Sequence, residues 1–488
     1  MSTDILIDLL QIIMLTLTTV IVMLVAGFKR EHGLVNALTT SGLAASLLIF
    51  AFVDPILPLQ ATELIYFDEY SLFFSGLIIF GALAVSILAY PYFEKHHNNN
   101  EEFYILLLTA TLGAVVLACS SHFISLFIGM EMLGVSLYAM IAYPVHGEKA
   151  AKFPLEAGIK YLIMSGLASG LILFGMALVY ALTGAMFFND LSPAINAEGL
   201  VGNPLLLTGF LLILGGISFK LSLVPFHIWT PDVYEGAPVP VTAYLATVSK
   251  AAMLAVTMRL LLLSDAFQFQ ALLIVLTVMA AASMLLGNLL ALLQNNVKRL
   301  LAYSSIAHLG YLLVVIIAAA SIPGLLSVES MSFYIAAYFI MSLAGFAVIS
   351  ALSNAGHELD NIADYQGLFW RNPWLSGVMI TVLFSLAGIP LTAGFIGKFY
   401  IFTSGVEGSL WFLLTMLIIG SAIGLYYYLR LIYLMLQKAE MAPKKDPALA
   451  AIPFGTHAVL ASMTALVIYL GVYPMPMIEI LQSLAAAF

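Results

Sequence analysis

Three lysines, one glutamate and two histidines stand out in this sequence because of where they fall. Lys220, Lys250 and Lys398 lie well inside long apolar runs, and Glu131 is the only carboxylate near the middle of any such run. His308 sits mid-run among hydroxyls in Ala302-Tyr-Ser-Ser-Ile-Ala-His-Leu-Gly-Tyr311, and His227 follows the proline at 225. A charge at the centre of a membrane span costs about 2.5–3.5 kcal/mol on insertion scales, so function or a buried ion pair must offset it. Lysine, glutamate and histidine all hold and release protons. Moving a carboxylate toward or away from an ammonium changes how tightly the lysine keeps its proton. Glu131 with Lys220 therefore reads as a gate, the alternative being a structural lock between two helices. His308 reads either as a satisfied core histidine or as a relay between Lys250 and Lys398, since unperturbed imidazole exchanges protons near neutral pH. His227, just past the proline, is placed to meet cytoplasmic water and load protons. The neighbouring Tyr303, Ser304 and Ser305 read as helix-packing hydroxyls.

Two interrupted helices must position these groups. In Lys220-Leu-Ser-Leu-Val-Pro-Phe-His-Ile-Trp-Thr-Pro-Asp-Val-Tyr-Glu-Gly-Ala-Pro-Val-Pro240, Pro225 removes a backbone donor and breaks the helix that carries Lys220. In Ser385-Leu-Ala-Gly-Ile-Pro-Leu-Thr-Ala-Gly-Phe-Ile-Gly-Lys-Phe399, the glycines and Pro390 make a continuous helix costly just before Lys398. Broken backbone at membrane depth survives only where it is buried in protein or lines a wet cavity. Two such helices running in opposite directions indicate an inverted-repeat transporter with its sites at the interruptions. The expected fold is all-α: a polytopic membrane protein of about fourteen transmembrane helices with two inverted five-helix repeats, each containing a broken helix. The repeats are assigned to 103–262 and 270–436, with three helices in 1–102 before them and one in 454–488 after them.

Composition agrees. The 488 residues are 62% hydrophobic and 9% charged, with a mean hydropathy of +1.06, whereas a soluble domain has roughly 25% charged residues. Apolar runs of about 20 residues recur along the whole length. The net charge of −9 gives no reason to expect a nucleic-acid partner. Lys29, Arg30, Lys95, Lys149, Lys152, Lys298, Arg299, Arg371, Lys438, Lys444 and Lys445 all fall in alternate connections. The opposite connections hold acids such as Asp54, Asp68, Glu329 and Glu407, which places both termini on the periplasmic side. Arg259 and Arg430, near span ends, read as snorkelling to the interface, and Lys160 is divided between that and function. Asp4 and Asp8, with no basic stretch, make the first run a span and not a cleaved signal. The lone Cys119 excludes an iron–sulfur cluster or a thiolate zinc site in this chain. With no dinucleotide fingerprint and no P-loop, redox and nucleotide chemistry must sit on partners, and this chain is expected to hold no cofactor or metal.

Phe219-Lys220-Leu-Ser-Leu-Val-Pro-Phe-His-Ile-Trp-Thr-Pro-Asp-Val-Tyr-Glu-Gly-Ala-Pro238 resembles the signature helix of the antiporter-like membrane subunits of respiratory complex I. Asn296-Val-Lys-Arg-Leu-Leu-Ala-Tyr-Ser-Ser-Ile-Ala-His-Leu-Gly-Tyr311 and Ala387-Gly-Ile-Pro-Leu-Thr-Ala-Gly-Phe-Ile-Gly-Lys398 resemble the same family, over nearly the whole chain. The resemblance implies a pumping subunit of NADH–quinone oxidoreductase in a bacterial inner membrane. Other membrane-arm subunits would be its partners, with FMN, iron–sulfur clusters and the NADH site on partner subunits. It also implies that Glu131 pairs with Lys220, and that Lys250 passes a proton toward Lys398, with His308 along the line. The competing reading is a subunit of a multisubunit cation/proton antiporter, built on the same helices. Nothing in the sequence points to a quinone site in this chain.

Overall fold

The computed structural model describes residues 9–49, 59–60, 62–96, 100–143, 152–321, 325–353, 358–438 and 452–486. Among the described residues, 12 helices are long and apolar enough to cross a membrane, and two shorter apolar helices, Pro204–Lys220 and Pro373–Ala387, complete the expected fourteen crossings. The first three are α1 (Leu10–Phe28), α2 (His32–Ile49) and α3 (Glu69–His96), with a short antiparallel hairpin between α2 and α3 that pairs Leu59 with Phe67. Then follow α4 (Glu101–Ala118), α5 (Phe123–Ile141), α6 (Lys152–Thr183), the short α7 (Phe188–Ala197), α8 (Pro204–Lys220) and α9 (Trp229–Gly236). Next come α10 (Val239–Ala246), α11 (Val248–Leu263), α12 (Gln270–Leu292), α13 (Val297–Ala318) and α14 (Leu325–Leu352). The chain ends in α15 (Leu368–Arg371), α16 (Pro373–Ala387), α17 (Ala393–Glu407), α18 (Trp411–Leu436), α19 (Phe454–Val472) and α20 (Met475–Ala486).

Local chemistry sets both breaks. Asn203 caps α8, its side chain accepting from the Leu205 amide at 2.9 Å, and Pro204 occupies the first turn where its missing N–H costs nothing. The helix stops at Lys220 because Ser222 adopts a left-handed φ of 62° and Pro225 cannot donate to a helical carbonyl. Asn372 and Pro373 start α16 in the same way, and Gly388, at φ 84°, ends it. The chain then doubles back so closely that a Cβ on Gly394 would collide with the Ser385 carbonyl. Only glycine fits there.

Glycines also set the helix pairs on which the two five-helix sets are built. A Cβ on Gly113 of α4 would lie 2.8 Å from the Gly129 carbonyl of α5, and one on Gly287 of α12 would lie 2.9 Å from the Tyr303 carbonyl of α13. Each set thus begins with a tight antiparallel crossing. Shelter is unequal across the molecule: 94% of the most apolar 18-residue stretch in each of the spans containing α10–α11, α13 and α14 is buried inside the protein, against 28% of that in α1. Lys250 and His308 ride on the sheltered helices, so their neighbours are other side chains and not lipid.

The structure departs from the sequence reading in four places. The run expected as 239–262 is two helices, interrupted at Thr247 three residues before Lys250. The run expected as 454–484 breaks at Tyr473–Pro474, where a proline cannot continue a helix. Glu329, counted among the connecting acids, lies inside α14 and is only 6% exposed. Lys298, counted as a loop base, is buried in the first turn of α13. Lys149, Lys444, Lys445 and Asp54 lie outside the described residues.

Gly394→Ala should lower the thermal midpoint of the detergent-solubilised protein, since overpacking of this kind costs about 1–3 kcal/mol or more. Gly377→Ala, with nothing within 4 Å of the added Cβ, should leave it unchanged.

Candidate functional site

Lys220 ends α8, where the carbonyl-rich helix terminus favours a cation. Its ammonium donates to Ser165 Oγ at 2.5 Å, and that hydroxyl also meets the Tyr138 hydroxyl at 2.8 Å. One turn along α6, Ser169 donates to Glu131 Oε1 at 2.5 Å. The lysine lies against Gly134, one turn from Glu131 on α5. Among the described residues, however, no ion pair joins the two, which corrects the direct pairing expected from sequence. Each charge instead rests on its own serine, and Ser165 and Ser169 face the same side of α6 because they are four residues apart.

Lys250 is 1% exposed. Its ammonium donates to Ser305 Oγ at 2.5 Å, which also accepts from the Tyr338 hydroxyl at 2.6 Å. The Tyr338 ring lies 5.5 Å from that of His308. His308 is hydrogen-bonded through Nδ1 to the Tyr334 hydroxyl at 2.7 Å, and Nε2 faces the Tyr428 hydroxyl at 3.4 Å. Tyr428 in turn bonds Ser304. On its far side the His308 ring packs at 5.5 Å against Tyr311, over whose ring the Lys398 ammonium stands at 5.3 Å. Lys398 donates to the Ala387 carbonyl at 3.0 Å, so it caps the end of α16 from the next half-helix.

Five of the six sequence-predicted groups fall into two clusters: Glu131 with Lys220 on the serines of α6, and Lys250, His308 and Lys398 around Ser305, Tyr338 and Tyr311. His227 belongs to neither. It is half-buried in the turn between α8 and α9, and its ring makes no hydrogen bond to those five side chains. Ser165, Ser169, Ser305, Tyr334 and Tyr338 were missed, because a hydroxyl inside a helix carries no sign in the sequence of what it faces. Ser304 and Ser305, expected to serve packing alone, both bond into the second cluster. Tyr303 stays half-buried.

Structural ion pairs frame the two clusters at both ends. Arg259, expected to snorkel, is 1% exposed and holds Asp68 by two hydrogen bonds of 2.6 and 2.9 Å. At the other end Arg299 bonds Asp232 at 2.9 Å and Glu235 at 2.6 Å, and Lys160 joins Asp232 at 2.9 Å and Glu156 at 2.8 Å. Lys298 donates to the Ala237 carbonyl at 2.8 Å and to Glu358 at 2.6 Å, and Tyr92 of α3 also bonds Glu358. The first turn of α13 therefore clamps α9, the half-helix after the Lys220 break. Among the described residues no cluster of three or more His, Cys, Asp or Glu is placed to hold a metal ion.

A many-helix membrane protein whose two broken helices each bring a lysine to a half-helix end has the layout of the antiporter-like class. Residues 120–424 match the family described as NADH:quinone oxidoreductase/Mrp antiporter, TM. The chain is 48% identical over 479 residues, 98% of its length and 95% of the relative's, to NADH-quinone oxidoreductase subunit N of Methylococcus capsulatus. It is similar to a chain of respiratory complex I from Thermus thermophilus, with 30% identity, a TM-score of 0.80, and 96% of this chain and 98% of that one covered. A chain of the Mrp complex from Dietzia sp. shares the fold at a TM-score of 0.83 and 17% identity, over 100% of this chain and 97% of that one. This chain belongs to the NADH:quinone oxidoreductase/Mrp antiporter transmembrane family.

Arg259→Gln removes one partner of the Asp68 pair and strands the other, which costs about 3–5 kcal/mol in buried settings. A marked fall in thermal midpoint is expected. The double variant Arg259→Met, Asp68→Leu should recover part of it.

Proposed function

We propose that this chain is a proton-translocating membrane-arm subunit of NADH–quinone oxidoreductase, with the redox chemistry on partner subunits that carry FMN and iron–sulfur clusters. The observation that carries this reading is the line Lys250–Ser305–Tyr338–His308–Tyr311–Lys398, in which proton-holding groups and hydroxyls follow one another between two half-helix ends. The 48% identity to a subunit N supports this assignment over the cation/proton antiporter, since the Mrp likeness, at 17% identity, carries the fold alone.

In this reading Glu131 and Lys220 form the gate. A shift of the carboxylate along α5 relative to the lysine changes how tightly Lys220 holds its proton. Ser165 and Ser169 give both groups a resting partner, so the gate does not rest as a locked ion pair. Lys250 receives the proton, and His308 passes it between Lys250 and Lys398. Residues 103–262 and 270–436 act as the two inverted half-units, and both termini lie on the periplasmic side of the bacterial inner membrane. Moving one charge against 100 mV takes about 2.3 kcal/mol, and nothing in this chain releases that energy. The drive must come from electron transfer on the partners.

Inside-out vesicles from cells lacking the gene, complemented with wild type or Lys220→Ala, test this. NADH-driven acidification should fall by roughly tenfold or more in Lys220→Ala, the scale on which a positioned proton carrier acts, with the complex still assembled on native gels. Wild-type acidification in an assembled variant would discard the gate. Normal NADH-driven pumping in the deletion strain, with loss of sodium- or lithium-driven proton exchange, would assign the chain to the antiporters.

Ser305→Ala should slow NADH-driven acidification by removing the only hydroxyl that joins Lys250 to Tyr338 among the described residues. Ser305→Thr, which restores the hydroxyl, should recover it.

A further inference from the structure

The relay described above ends at Lys398, and α14 continues it outward. Tyr338, Tyr334 and Ser330 lie four residues apart on one face of α14, the face turned to α13 and α17. Tyr338 belongs to the Lys250 cluster and Tyr334 bonds His308. Ser330 accepts from Ser404 of α17 at 2.8 Å. Beside Ser330 sits Glu329, a carboxylate only 6% exposed. Its Oε1 accepts from the Tyr400 hydroxyl at 3.0 Å, and the Tyr400 ring stacks on Phe333 at 5.3 Å. The exposed Gln482 lies on α20, which packs on α14. Among the described residues no lysine, arginine or histidine forms an ion pair with Glu329.

A nearly buried carboxyl served by neutral donors alone differs from every structural acid described above. Asp68, Asp232, Glu235 and Glu358 each face a cation at 2.9 Å or less, and a pair of that kind holds its charge fixed. Burying an unpaired carboxylate is costly, and such a group takes up a proton instead. Tyr334 and Glu329 are five residues apart, an axial rise of about 7.5 Å. The carboxyl therefore stands about one and a half helical turns outward of the His308 partner.

We infer that Glu329 is a proton-binding group on the outward side of the relay, receiving protons from the His308–Lys398 centre along the hydroxyls at the α14–α17 interface and releasing them to the outer surface. The inference rests on the translocation reading above and extends it to a residue which that reading does not use. The transfer conserves charge: the proton that leaves the centre protonates the carboxylate, and its release restores the carboxylate.

The test compares inside-out vesicles carrying the complete complex with wild type, Glu329→Gln, Glu329→Asp, Tyr400→Phe or Lys398→Ala. Acidification per NADH oxidised is the readout, beside native-gel assembly. Glu329→Gln is expected to lower that ratio by roughly tenfold, as a lost proton carrier does, and Glu329→Asp to recover most of it. A group that merely ties α14 to α20 predicts the opposite order, because glutamine keeps the size and hydrogen bonds that aspartate shortens. Wild-type pumping by assembled Glu329→Gln, with Lys398→Ala impaired, overturns the inference while sparing the translocation reading. Wild-type pumping by Lys398→Ala brings down the relay itself. If Glu329→Gln fails to assemble, Tyr400→Phe decides: a lowered ratio supports the inference and an unchanged one overturns it.

Discussion

Each of the three lysines that lie inside the apolar runs rests on a neutral oxygen. Lys220 meets Ser165, Lys250 meets Ser305, and Lys398 meets the Ala387 carbonyl. The consequence is physical. A lysine locked to a carboxylate at 2.6 Å, as Lys298 is to Glu358, cannot lose its proton without leaving a bare buried anion. A lysine on a hydroxyl or carbonyl can lose it and leave a neutral site. The rest of the structure serves this arrangement by keeping lipid away from the ammonium groups and bringing polar oxygens to them.

The broken helices supply those oxygens. A continuous helix uses its carbonyls internally, whereas a half-helix ends with carbonyls free to face a cation. Lys220 occupies such an end on its own helix, and Lys398 reaches back to one across the turn. Gly388 and Gly394 make the second break compact enough for that reach. The same design recurs in the two five-helix sets, each opened by a glycine-lined crossing, with the lysines brought to the interior by opposite runs of the chain.

Carboxylate–cation pairs are kept for the two faces. Asp68 with Arg259 ties α3 to α11 at one end. The pairs of Arg299, Lys298 and Lys160 tie α13, α9 and α6 at the other. These contacts connect the break after Lys220 to the helix that bears Ser305 and His308. In that distribution the carboxylate–cation pairs stand at the two faces, and Lys220, Lys250 and Lys398 have neutral oxygens for partners.

Hydropathy alone was enough to lay out the crossings, because a span must be about 20 apolar residues long, and proline and glycine punctuation marked both breaks. Charge scarcity singled out Glu131, Lys220, Lys250, His308 and Lys398, since an ionisable residue inside a span is too costly to be incidental. Partnership was not legible. Nothing in the sequence separates Lys298, held in a fixed pair, from Lys250, which rests on a serine, or Arg259, paired with Asp68, from a snorkelling arginine. Sequence distance also hid the hydroxyls: Ser165, Ser305 and Tyr338 look like any packing residue until helices far apart in the chain are laid side by side. Composition determined that this chain lives in a membrane, and charge scarcity drew attention to the few ionisable groups inside its spans. Only tertiary packing decided which of them face a carboxylate and which a neutral oxygen, because that depends on the atom opposite each charge.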